Sequence, residues 1–257
     1  MRESTTRFKA GSGKGESLMN ERQNIKVDLL ALWQECEGYY QCPHGVGGLR
    51  LGPLVGYAGH YSDINGKRKS YVGEEYYNFV KIEEDIYYLD LFAAAIAERI
   101  DVPDRITAVI GAPMGGILLA GALSRMINCK VKFAEKKVVA LATKTRREKT
   151  ILTLKRHQIE AGDNVIIAED VCNNFSATAE MIALVEKQKG HVAMVACALN
   201  RSAEKTYSST RETIPVISAI HAPLNQYRQD DPFVEASVRM GYVVWKPKDE
   251  WERLQGL

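Results

Sequence analysis

The chain alternates between short, unbroken apolar runs and stretches in which apolar residues recur every three or four positions. Residues 165–168, Val-Ile-Ile-Ala, are an unbroken run, the pattern of a strand buried on both faces of a parallel sheet. Further runs at 106–110, 130–134, 192–199 and 216–220 predict strands as well. Helical patterns lie between them. Residues 85–100 place Leu89, Phe92, Ala93 and Ile96 on one face, and Val102-Pro103 ends that helix. A second, apolar helix runs through Met126, and a third carries Met181, Leu184 and Val185. A shorter helix is expected over 27–36, with Leu29, Leu30, Leu32 and Trp33. Strands that alternate with helices from about 86 to 220 predict an α/β fold with a mainly parallel central sheet and right-handed crossovers.

Outside that core the pattern changes. Residues 1–24 are polar and rich in Gly and Ser, which predicts a disordered tail. Their G-S-G-K-G stretch lacks P-loop spacing, and no strand precedes it. Residues 38–75 are dense in Gly, Tyr and Pro and predict loops and short strands. Residues 221–257, with Asp230-Asp231-Pro232, Trp245 and Trp251, are expected to form a small packing or dimer element. The expected division is therefore a tail over 1–24, an N-terminal region over 25–85, the α/β core over 86–220 and the C-terminal element over 221–257.

Composition narrows the partners. With 257 residues and 46% hydrophobic, the chain can bury a sizeable core. A net charge of +2 gives no global field for nucleic acid or membrane. No apolar run reaches about 18 residues, and no secretory apolar region opens the chain. Five scattered cysteines fit a reducing cytoplasm better than a disulfide framework. Cys36, Cys42, His44 and His60 lack the close cysteine spacing of structural zinc sites, so buried thiols and surface imidazoles are expected.

The chemistry concentrates at N-V-I-I-A-E-D-V-C-N-N-F-S-A, residues 164–177. Two acids, Glu169 and Asp170, end the buried strand, and a polar loop, Asn173 to Ser176, leads into a helix. In an open α/β sheet, ligands bind at the carboxyl ends of strands. A helix N-terminus there suits phosphate, and acids suit sugar hydroxyls or Mg²⁺. Earlier in the chain, strand 106–110 runs into Gly111-Ala112-Pro113-Met114-Gly115-Gly116 and another helix. Its spacing is not that of a dinucleotide turn.

The 164–177 stretch resembles the phosphoribosyl-pyrophosphate (PRPP) motif of type I phosphoribosyltransferases. Ser176 falls where the orotate phosphoribosyltransferases carry their loop hydroxyl. Phe175 stands where that family usually has Gly, and Asn173 and Asn174 replace small residues. The run around Gly115-Gly116 is similar to the family's pyrophosphate loop, lacking the Lys some members have at position 115. The stretch 66–81, G-K-R-K-S-Y-V-G-E-E-Y-Y-N-F-V-K, is similar to the hood that covers the base. Residues 152–162 resemble the run that precedes the PRPP motif, with His157 at a position held by Gly in relatives, which makes it a surface residue. Strand 192–199 ends in Asn200-Arg201, where the orotate enzymes have Asp-Arg.

The resemblance covers about residues 66–220. It implies a type I phosphoribosyltransferase-like sheet with an N-terminal hood, transfer of phosphoribosyl from PRPP to a base, Mg²⁺ held mainly through PRPP, and a homodimer. By position, PRPP would meet Gly115, Gly116, Lys136, Lys137, Glu169, Asp170, Asn173, Asn174, Phe175, Ser176 and Ala177. Tyr76, Tyr77 and Arg201 would meet the base, with orotate the expected acceptor. Lys144 and Arg146 would act with the acid pair, from a cationic stretch over 138–150 that stands where the family has a mobile loop. The family's K-x-x-K-x-H pattern is not present there. A non-catalytic PRPP or nucleotide sensor, or an enzyme for another base, is the alternative.

Overall fold

The central apolar run becomes the middle of a long strand because both of its faces are covered. In the computed structural model, which describes residues 28–141 and 149–256, Val165, Ile166, Ile167 and Ala168 are fully buried. Ile166 and Ala168 face one cluster and Val165 and Ile167 the other, as the two-residue period of a strand requires.

The strands, in chain order, are β1 Tyr39–Gln41, β2 Leu54–Ser62, β3 Arg68–Gly73, β4 Glu75–Tyr77, β5 Ala108–Gly111, β6 Lys130–Phe133 and β7 Glu135–Ala140. Then follow β8 Lys149–Thr153, β9 Asn164–Cys172, β10 His191–Asn200, β11 Thr206–Ser208, β12 Thr213–His221 and β13 Val243–Val244. Among the described residues, six strands form the central sheet in the order β11-β12-β10-β9-β5-β6. Every pair in it is parallel except the edge pair β11–β12.

Helices sandwich this sheet. Ile86–Ala97 and Gly116–Met126 cover one face, burying Leu89, Phe92, Ala93 and Ile96 together with Leu119, Ala120 and Leu123. The Asp85 carboxylate caps the first of these by accepting from the Tyr87 amide at 2.8 Å. Ser176–Lys187 covers the other face with Met181, Ile182 and Val185. Each of the larger of these side chains contributes about 1.5–3 kcal/mol relative to exposure. Lys132, a cation on β6, is buried because it pairs with Asp163 at 2.9 Å and donates to the Gln158 carbonyl at 2.7 Å. That pair ties β6 to the turn that opens β9.

The strand order fixes where a ligand can sit. From β5 the chain moves outward to β6 and then returns to β9 on the other side of β5. The loops that leave β5 and β9 therefore diverge, and a crevice opens between them. Several elements differ from the sequence pattern. β9 continues four residues past Ala168, so both acids lie within the strand, their backbones paired with β10. Residues flanking 142–148 form an antiparallel hairpin, β7–β8. At the turn before β10, Lys189 takes the left-handed backbone at φ 64°, while Gly190 sits where a Cβ would press on Ile159 and Val185.

A smaller layer stands over the crevice. β1 pairs with β4, and β13 joins β2 and β3 in a three-stranded sheet. The C-terminal residues thus build part of the N-terminal layer. No helix among the described residues is long and apolar enough to cross a membrane.

Candidate active site

The two turns at the crevice are held by close backbone approach. A Cβ on Gly116 would overlap the Ala168 carbonyl, and one on Gly115 would overlap the Asp170 carboxylate. Glycine at 116 is required by packing against β9, and glycine at 115 leaves room for the acid. A Lys at 115 could enter only by displacing Asp170.

The adjacent acids face different surroundings. Glu169 is buried and accepts from Thr178 Oγ1, on the helix after the loop, at 3.0 Å. Burial pushes its carboxyl up to about 7, and the neighbouring Asp170 charge acts in the same direction. The Thr178 hydrogen bond and Lys136 pull the other way. Successive residues of β7 point to opposite faces, so of Lys136 and Lys137 it is Lys136 whose charge reaches the acid. Asp170 turns to the crevice: Oδ1 accepts from the Val171 amide at 2.8 Å, and Oδ2 meets Lys248 Nζ at 3.3 Å.

The loop after β9 enters its helix through Phe175, which adopts φ 55° and ψ 19°. This left-handed position is where the family's Gly would stand, and a Phe there is strained. Its ring packs toward Tyr207, centroids 5.9 Å apart, at the margin of the core. Asn174 Oδ1 accepts from the Ser176 amide at 3.3 Å and from Ser176 Oγ at 3.0 Å. Asn173 Oδ1 accepts from Gln226 Nε2 at 2.7 Å. Ser176 and Ala177 lie exposed at the helix N-terminus.

Across the crevice, Arg201 follows β10 and is 5% exposed. Its guanidinium stacks on the Tyr57 ring at 4.1 Å, and Nε and Nη2 are buried with no hydrogen-bond partner among the described residues. Buried donors of that kind call for an acceptor. Arg201, Tyr57, Tyr76, Tyr77, Asp170 and Asn173 share one cleft of about 770 Å³ with the hood cations Lys67, Arg68 and Lys69 and the C-terminal Lys246 and Lys248. The two tyrosines differ. Tyr76 packs beside Trp251, whereas the Tyr77 ring is built into the aromatic core against Trp33 and Tyr39.

Lys144 and Arg146 lie outside the described residues, between β7 and β8. Three contributors had no motif to announce them: Tyr57, Lys248 and Glu83. The Glu83 carboxyl is pushed up to about 7 by burial and then by Asp170, against the pull of Lys248. Elsewhere, Cys42, His44 and Glu74 bring ligand atoms within 4.8 Å of one another. Glu74 is already committed there, to Arg50 at 2.6 Å and His44 at 3.1 Å.

A parallel sheet whose switch point holds an acid pair, a glycine turn and a helix-capping loop is the type I phosphoribosyltransferase fold. The orotate phosphoribosyltransferase of Aeropyrum pernix aligns with 75% of this chain and 93% of its own, with a TM-score of 0.50 and 15% identity. In sequence the chain is similar to orotate phosphoribosyltransferases. That of Thermoanaerobacter sp. (strain X514) is 28% identical over 174 residues, 67% of this chain and 81% of that protein. That of Caldicellulosiruptor saccharolyticus is 29% identical over 148 residues, 57% of this chain and 69% of that protein. No protein-family model matches the chain.

Proposed function

We propose that the protein transfers a 5-phosphoribosyl group from PRPP to orotate, giving orotidine 5′-monophosphate and pyrophosphate. A ring nitrogen of the base forms the new bond to C1′ as the bond from C1′ to the pyrophosphate oxygen breaks, and the proton that nitrogen carried is released with the pyrophosphate. Arg201 is the observation that carries the base assignment. Its unpaired Nε and Nη2, buried in the cleft wall, match a carboxylate in a two-point fork, and a neutral base would leave them unpaired. Tyr76 offers a ring face beside it.

Asp170, turned to the cleft, would accept from the ribose hydroxyls, and its charge would favour the positive character that grows at C1′. Glu169 supports it from beneath, anchored on Thr178. The loop after β9, with Asn174, Ser176 and Ala177 exposed at a helix N-terminus, suits the 5-phosphate. Mg²⁺ would be held mainly through PRPP, and Asp170 would supply the protein oxygen available to it. When bound, it neutralises charge on the leaving pyrophosphate. Lys144 and Arg146, contributed by a second copy in a homodimer, would add to that neutralisation.

Pyrophosphate release measured with PRPP, Mg²⁺ and a panel of bases tests the assignment. Orotate is expected to support turnover, and adenine and uracil are not. Replacing Arg201 with Ala removes a buried charged partner, so orotate KM should rise about 30-fold or more. PRPP KM should change about threefold at most, because the donor's contacts lie across the cleft. Equal rises in both would remove the base assignment. A second reading, a sensor that binds PRPP without turnover, draws on the strained Phe175 at the phosphate loop. PRPP binding without pyrophosphate release for any base would favour it.

A further inference from the structure

One cation at the acid pair comes from far outside the motifs. Lys248 holds its ammonium 3.3 Å from Asp170 Oδ2. The six residues 245–250 that carry it bridge two fixed elements. On one side, β13 pairs in parallel register with Leu54 and Val55, and Trp245 lies so close over Gly56 that a Cβ there would come within 2.6 Å of its ring. On the other side, helix Trp251–Gln255 buries Leu254 against the hood cluster of Val55 and Tyr57. Lys248 is therefore delivered to the cleft by the fold and not by chance placement of a free tail.

The contact it makes is weak and replaceable. The Lys248 side chain is 54% exposed, and an ion pair of that kind contributes little to stability. Ribose hydroxyls that bind Asp170 need the lone pairs the ammonium now uses. The donor that brings those hydroxyls also brings phosphate oxygens, and a flexible four-carbon stem lets the ammonium follow them.

We infer that Lys248 is a substrate-contacting cation, which leaves Asp170 when the phosphoribosyl donor binds and takes a phosphate oxygen of that donor. This rests on the phosphoribosyl-transfer reading, and it assigns the C-terminal segment a part in donor recognition.

Calorimetric titration of PRPP with Mg²⁺ into the wild-type chain, Lys248→Met and Lys248→Arg tests it. Loss of one charge-assisted hydrogen bond should weaken PRPP binding about tenfold in the Met variant, with most of the affinity restored by Arg. Inorganic pyrophosphate should lose affinity in parallel, orotate should not, and the melting temperature should stay unchanged. Unchanged PRPP affinity in Lys248→Met overturns the inference and leaves the phosphoribosyl reading intact. Tighter PRPP binding also overturns it, making Lys248 a plug. Weaker orotate binding with PRPP unaffected overturns it by moving the lysine to the base. Failure of the wild-type chain to bind PRPP brings down the underlying reading and the inference with it.

Discussion

The turn after β5 and the turn after β9 stand side by side at the switch point, yet different constraints chose their residues. In the first, glycine answers to space. Gly116 has a strand carbonyl where its Cβ would be, and Gly115 has the Asp170 carboxylate. In the second, the left-handed position that glycine would fill without strain is held by Phe175, whose ring reaches the core margin beside Tyr207. At Gly116 the first turn is packed against backbone that cannot yield. The second trades backbone comfort for a side-chain contact, and it does so within the loop expected to meet phosphate.

The largest effect should come from filling the first turn. Gly116→Val drives a branched side chain into β9, and destabilisation of about 3 kcal/mol or more is expected in urea unfolding. A mild loss would mean that β9 can shift, and the contrast between the turns would weaken. Next comes the buried acid that anchors the helix after the second turn. Glu169 has an ordinary value of 4.5 and is pushed to about 7 in the folded chain, so the native state keeps the proton that the unfolded state releases. The stability linked to that proton is complete below 4.5 and is lost as pH climbs through 7. Glu169→Gln should therefore leave stability near pH 4 little changed and raise it at pH 8, on the order of 2 kcal/mol. Melting curves across that range check the sign. The smallest effect isolates the strain at Phe175. Gly and Ala both remove the ring, but only Gly relieves the backbone. Phe175→Gly should be more stable than Phe175→Ala by about 1 kcal/mol, the reverse of their usual order near a helix. Equal stabilities would show that the left-handed turn carries no strain.

Much of the core was legible because burial and periodicity coincide there. Leu89, Phe92, Ala93 and Ile96 repeat at helical spacing and are buried as a set. The run 165–168 is apolar because two helical layers cover it. Legibility failed where backbone pairing ignores side-chain type. β9 continues through Glu169 and Asp170 because β10 supplies hydrogen-bonding partners there, whatever the side chains. It also failed where one residue's role depends on its neighbour's pleat, as with Tyr76 beside Trp251 and Tyr77 in the core. After a helix such as Ser176–Lys187, glycine is the residue expected to take the left-handed turn. Lys189 takes the left-handed backbone instead, and Gly190 is small to admit Ile159 and Val185. Lys248 was invisible because a lysine in a stretch without periodicity gains meaning only from what folds against it.

The pairing of β13 with β2 has a mechanical consequence. Val243 and Val244 are in register with Leu54 and Val55, while Tyr76 packs on Trp251 just beyond. Two segments almost two hundred residues apart in the chain are thereby riveted into a single panel over the crevice. Tyr57, Tyr76 and Lys248 all ride on that panel, so any displacement of it would move the three cleft-lining side chains together.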